Sequence, residues 1–160
     1  MSVFEAGPFT AIVQFLDENG VEHGVIEHEP VHTSEEAATV GGTSMSQGAK
    51  SLLLKTQDEF VVVVIQGSER LDIKKLMHHL GISKRPRFAT PEEVQEQMGC
   101  EIGACYPLAE IVGLRTLLDG KFLEQESISF NPGVHNKTIV MDVADFVYML
   151  DPDTTDLVID

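Results

Sequence analysis

The chain has 160 residues, 42% of them hydrophobic and 23% charged, with a formal charge of −15, which is the make-up of a globular protein able to bury one sizeable core. A charge of that sign repels phosphate and argues against DNA binding or broad affinity for nucleic acid. No apolar run approaches the roughly 18–20 residues of a membrane span, the Met1–Glu5 start lacks a signal-peptide pattern, and Cys100 and Cys105 are too few for a disulfide framework. These features predict a single domain spanning 1–160 in a reducing cytoplasm, with no membrane partner.

In chain order, Phe9, Ile12, Val13 and Leu16 recur at helical spacing, and Asn19-Gly20 supplies the stop. Gly24 to Glu29 reads as a strand closed by Pro30, and Thr33 with Glu36 forms a capping-box pattern for a short helix ending near Gly41-Gly42. Strands are predicted at Lys50 to Thr56 and Phe60 to Gln66, followed by a helix from Leu71 to Leu80 stopped by Gly81. Thr90, Pro91 and Glu93 open another helix, which ends at Gly99. The last third offers strands near Glu110 to Leu114, Ser127 to Phe130 and Lys137 to Met141, then a helix capped by Asp142 with Val143, Phe146, Val147 and Leu150 on its apolar face. Short strands interleaved irregularly with short helices indicate an α+β domain.

Lys50 is the residue least at home in this pattern, because it stands at the entry to the apolar run Ser51 to Leu54. Drawing an ammonium group out of water costs several kcal/mol unless carbonyls or anions receive it. It is read either as a site for a polar or anionic ligand or as a strand-end lysine reaching solvent along its alkyl stem. Eight basic and four acidic residues between Lys50 and Arg87 make that stretch net positive in an acidic chain. The loop Gly99-Cys100-Glu101-Ile102-Gly103-Ala104-Cys105-Tyr106-Pro107 has the glycines to aim bare amides at an ester carbonyl or its oxyanion. A third loop, Phe130 to Lys137, carries Asn131, Asn136 and His135.

Other motifs read as structural. His28-Glu29-Pro30-Val31-His32 has the letters of a zinc-protease helix, but Pro30 breaks the helix that chemistry requires, so no metal is expected. Neither cysteine has an evident base beside it, and His78-His79 reads as surface.

The ordered pieces Thr33 to Ala38, Gln47 to Leu52, Ala89 to Val94, Gly99 through Pro107 and Phe130-Asn131-Pro132-Gly133 through Asp145 together resemble the YbaK family, related to the editing domain of bacterial prolyl-tRNA synthetases. The resemblance implies a mixed, barrel-like sheet surrounded by short helices and hydrolysis of the ester that joins a wrongly chosen amino acid to tRNA. It assigns Lys50, Gly103 and His135 to catalysis, with Gly99, Ala104, Cys105, Tyr106, Pro107 and Asn131 around the substrate. Water would be the nucleophile, with no cofactor. The partner is the 3′ aminoacyl-adenosine end of mischarged tRNA, with contact to an aminoacyl-tRNA synthetase as a further partnership and a monomer or homodimer as the assembly.

The chain departs from the family pattern at Val40-Gly41, where arginine often precedes the glycine, and at Leu108-Ala109, where a glycine is usual. Tyr106 is bulkier than the residue often found there; a ring turned into the pocket would favour alanine, serine or cysteine as acyl group, on proline tRNA among others. The competing function is a non-catalytic amino acid- or nucleotide-binding module of the same fold.

Overall fold

The computed structural model describes residues 2–30, 44 and 46–160. The Thr33–Glu36 capping box, the helix ending at Gly41-Gly42, His32 and the Val40 position lie outside those residues.

Helix α1 (Val3–Ala6) is capped by Ser2 and passes through Gly7 into α2 (Pro8–Glu18), which buries Ala11, Ile12 and Leu16. Strand β1 (His23–Glu27) follows, then β2 (Ala49–Lys55) and β3 (Phe60–Gln66). Asp72 opens α3 (Ile73–Leu80) by accepting from the amides of Lys74 and Lys75. After the two-residue β4 (Arg87–Phe88), α4 (Pro91–Met98) carries the expected reciprocal box. Thr90 Oγ1 accepts from the Glu93 amide and the Glu93 carboxylate accepts from the Thr90 amide. Next come β5 (Arg115–Asp119), β6 (Ser127–Phe130), β7 (Lys137–Asp142), α5 (Val143–Leu150) and β8 (Asp153–Thr155).

The strand expected at Glu110–Leu114 is instead a 3₁₀ turn, Ala109–Val112, and the strand begins just beyond the expected span, at Arg115. The turn folds back on that strand: the Glu110 carboxylate accepts from the Thr116 amide at 3.2 Å and from Thr116 Oγ1 at 2.8 Å. Asp142 stands at the N-cap of α5 as expected, yet its side chain makes no capping hydrogen bond.

The strands form a three-stranded sheet, β1-β7-β6, and a five-stranded sheet, β4-β2-β3-β5-β8. Pairing is antiparallel in the first, whereas in the second β3-β5 and β5-β8 are parallel. A parallel bridge between Gly48 and Ser129 joins the sheets, reinforced by the Ser129 amide donating to Gln47 O at 3.1 Å. This is the mixed, barrel-like arrangement surrounded by short helices, without closure into a full barrel.

Alternation along β2 and β3 sends side chains to two cores. Leu53, Val62 and Val64 join Ile12, Leu16, Met98, Tyr106, Phe130 and Phe146 in the larger one. Leu54, Val61, Val63 and Ile65 join Leu76 of α3 and Leu157 in the smaller. Full burial of each such side chain contributes about 1.5–3 kcal/mol. Lys50 shares the parity of Leu52 and Leu54, which pack in or against the smaller core.

Candidate active site

Lys50 is the second residue of β2, opposite Ile65 of β3. That register carries the chain past β3 into the turn Gly67–Arg70, where the Gly67 amide donates to Gly48 O at 2.8 Å and the Glu69 amide to Gln66 O at 3.0 Å. The Lys50 ammonium reaches this turn and donates to Glu69 O at 3.0 Å. No ion pair reaches it among the described residues. Burial, and next the like charge of Arg70, hold its pKa below the usual lysine value. Glu69 turns its own carboxylate to Lys121, at 2.9 Å, so the amine meets a neutral oxygen and is left with donors to spare. Glu69 was missed as the anchor, because its role depends on the turn after β3 and on antiparallel register; the signal is the Gly67-Ser68 pair at the end of the apolar run.

The glycine loop starts where Gly99 ends α4 at φ +64. A side chain there would meet Val3 of α1, with Cγ1 at 2.9 Å, so Gly99 serves helix termination and close packing. Ala104 is fully buried, and its amide donates to Glu101 O at 3.1 Å. Gly103, at φ +88, occupies a conformation costly to other residues, and its amide makes no hydrogen bond among the described residues. Of the donors expected in this loop, the Gly103 amide is open and the Ala104 amide is engaged. Pro107 O accepts from Thr116 Oγ1 at 3.2 Å, tying the end of the loop to β5.

Tyr106 lies in the larger core at 0% exposure, its hydroxyl donating to Met98 O at 2.7 Å. Burial pushes its phenol pKa up. The ring supports the loop from beneath and offers no open surface to a ligand. Cys100 and Cys105 are both buried thiols. A hydrogen bond to the Cys105 sulfur, then burial, push the Cys100 pKa up, which is the opposite of what activates a nucleophile.

The loop after β6 crosses the glycine loop. A side chain on Gly133 would collide with Pro8 of α2 and come within 3.4 Å of the Tyr106 ring. His135 lies over Gly103, its Cε1 at 3.5 Å from where a Cβ would stand, and its Nε2 is 3.6 Å from Glu101 Oε2. Two residues beyond the Gly48–Ser129 bridge, in the same direction along both chains, are Lys50 and Asn131. Among the described residues the Asn131 Oδ1 is buried without a partner, as is Ser51 Oγ, and such an oxygen stores about 1–3 kcal/mol of desolvation. The loop from Asn131 to His135 is therefore the physical link between the lysine strand and the glycine loop.

The zinc reading of His28 is not supported by its surroundings. It stands just beyond β1, its Nδ1 2.7 Å from Glu29 O and its Nε2 2.8 Å from Thr138 Oγ1, so both ring nitrogens are engaged. Among the described residues no group of three His, Cys, Asp or Glu is placed to hold a metal. His79 pairs with Asp153 at 2.8 Å, and Arg115 reaches the same carboxylate oxygen at 2.6 Å. Two hollows elsewhere, one beside His23 and Asp142 and one between α1 and α2, contain none of the candidate residues.

Comparison with known proteins follows the same segments. The family model for the aminoacyl-tRNA editing domain matches residues 28–148. The multifunctional Ser/Thr-tRNA deacylase ProXp-y of Escherichia coli K12 is 29% identical over 147 residues, covering 89% of this chain and 87% of that protein. The prolyl-tRNA editing protein ProX of Acetoanaerobium sticklandii is 24% identical over 141 residues, covering 84% and 85%. A solved structure described as a candidate trans-editing enzyme for prolyl tRNA synthetase has the same fold, with a TM-score of 0.84 over 97% of this chain and 99% of that one at 24% identity. With three quarters of its length matched by the family model, the chain belongs to the aminoacyl-tRNA editing domain family.

Proposed function

We propose that this protein is an aminoacyl-tRNA deacylase acting in trans, an ester hydrolase that protects translation by releasing a wrongly attached amino acid from the 3′ adenosine of tRNA. The observation that carries the reading is the Lys50 ammonium, partly desolvated and bound to a single neutral carbonyl at 3.0 Å, in a chain matched by the editing-domain model. In this reading Lys50 holds the carbonyl-rich acyl-adenosine end. The free Gly103 amide donates to the ester oxygen as charge develops on it, and His135 closes the pocket over that glycine. Water attacks the ester carbon, the bond to the ribose 3′ oxygen breaks, and the amino acid and a free 3′ hydroxyl are released. Loss of one such oxyanion donor typically slows a reaction about 100- to 1000-fold.

Small acyl groups are the favoured substrates, with serine first, alanine and cysteine next, and proline tRNA as one carrier. Support comes from the serine and threonine named for the Escherichia coli relative; the Tyr106 ring, buried in the core, does not bear on acyl size. We place the protein in the cytoplasm as a single editing domain, in contact with mischarged tRNA and with a synthetase that produces it. Among the described residues no helix is long and apolar enough to cross a membrane.

The test is release of labelled amino acid from a panel of mischarged tRNAs. Turnover is expected with at least one of the serine, alanine and cysteine esters. Binding without release from any member would favour the alternative, a sensing module for an amino acid or nucleotide.

A further inference from the structure

Eight of the eleven basic residues fall between Lys50 and Arg87, and several of them have occupations. Lys75 is held by Asp156 and Asp160 at 2.9 and 2.8 Å, Arg87 by Glu93 at 2.7 Å, and Lys55 lies over the Phe60 ring at 5.1 Å. Arg70 has none. It is exposed, and among the described residues its guanidinium makes no ion pair, hydrogen bond or ring contact. Its backbone, by contrast, is firmly mounted. Arg70 O accepts from the Ile159 amide at 2.9 Å, and the next residue, Leu71, is bridged to Val158.

The position of this mount gives Arg70 its meaning. Arg70 directly follows Glu69, whose carbonyl oxygen lies 3.0 Å from the Lys50 ammonium, so the lysine amine sits one peptide away from the arginine backbone. The like charges sense each other, since Arg70 is the second cause of the depressed Lys50 pKa. The carboxylate nearest in sequence, Glu69, is engaged by Lys121. Two neighbouring cations left uncompensated in a chain of net charge −15 are unfavourable until an anion joins them.

We propose that Arg70 is a phosphate-binding residue, which takes the phosphodiester on the 5′ side of the terminal adenosine while Lys50 faces the ester on the same nucleotide. The proposal rests on the deacylase reading and extends it to the RNA backbone. A guanidinium presents two parallel N–H donors that match a pair of phosphate oxygens, and an exposed arginine on a rigid turn can do so with little rearrangement. The ester and the phosphate are carried by one ribose, so neighbouring cations recognise an aminoacylated strand end and not a free amino-acid ester. This also gives an acidic protein a local means of holding RNA.

The experiment compares wild type with Arg70→Gln on two substrates, an aminoacyl-tRNA and a 3′-O-aminoacyl-adenosine that lacks the 5′ phosphate. On the tRNA, kcat/KM is expected to fall about 10- to 100-fold, mainly through KM, and the dependence of log affinity on log salt to lose about one unit of slope. Arg70→Lys should recover part of the loss. On the phosphate-free adenosine the loss should be at least tenfold smaller. Equal losses on both substrates, or a change confined to the alkaline limb of both pH–rate profiles, would overturn the proposal and make Arg70 a residue that tunes Lys50. A wild-type protein that hydrolyses neither substrate would overturn the deacylase reading, and this proposal with it.

Discussion

The neutral and charged halves of the candidate site are built by opposite means. The loops around Gly103 and Gly133 are fixed by backbone geometry: positive φ at both glycines, a tyrosine hydroxyl locked onto Met98 O beneath them, and a proline of α2 pressed against Gly133. Lys50 sits on β2 and Arg70 on the turn after β3, where one carbonyl holds the lysine and the arginine is exposed. The first half is stabilised by close packing and leaves one amide open; the second carries charge that the fold itself does not need. Damage to the first should therefore appear in stability, and at the open Gly103 amide in function as well, whereas damage to the second should appear in function alone.

The largest expected loss of stability is at Gly133. In Gly133→Ala the methyl group meets Pro8 and the Tyr106 ring at a φ of +83, so dihedral strain and overpacking together should destabilise the fold by about 2–5 kcal/mol. Chemical denaturation measures this, and an unchanged midpoint would show that α2 and the loop can separate freely. Gly103→Ala is different, because its methyl group would stand an ordinary 3.5 Å from His135 Cε1. Strain at φ +88 should cost about 1–2 kcal/mol, and displacement of the open amide should slow deacylation about 10- to 100-fold. Full activity in this variant would remove the Gly103 amide from the mechanism.

Tyr106→Phe removes only the bond to Met98 O and should destabilise by about 1–2 kcal/mol, leaving the order of serine, alanine and cysteine esters unchanged. A reordering of substrates would place the ring at the pocket. The smallest effect is expected at Arg87, whose guanidinium is the first cause, with the Thr90 amide second, of a Glu93 pKa near about 2. A carboxylate depressed in the folded state stabilises above its unfolded pKa, and that contribution fades as pH falls from the ordinary carboxylate range towards 2. Melting followed from pH 6 to 2 should therefore show a shallower acid-side decline in Arg87→Ala than in wild type, with the difference reduced by salt. Parallel acid profiles would show that this exposed pair contributes nothing.

Local signals made much of the fold legible. Thr90, Pro91, Glu93 and Gly99 specify the ends of α4 from within ten residues, and the strands β2 and β3 are plain in their apolar runs. The shift from a strand at Glu110–Leu114 to one at Arg115–Asp119 was not legible, because the first stretch is the more apolar of the two and the choice is made by pairing with β3, about fifty residues earlier. Lys50 was conspicuous as a cation at the head of such a run. Its partner Glu69 was not, since a backbone carbonyl has no signature in sequence and is selected by strand register. The direction of Tyr106 depended likewise on how the loop folds back to bring its hydroxyl onto a backbone carbonyl, Met98 O.

The most direct test of the account is the single-turnover rate of seryl-ester release from mischarged tRNA by Lys50→Ala beside wild type, with both melting temperatures recorded. Because the only hydrogen bond of the Lys50 side chain among the described residues is to the Glu69 carbonyl, the fold should persist with its melting temperature nearly unchanged. The rate should drop at least about 100-fold, the scale of losing a group that binds developing charge. A folded variant that releases serine as fast as wild type would contradict the central role given to this amine.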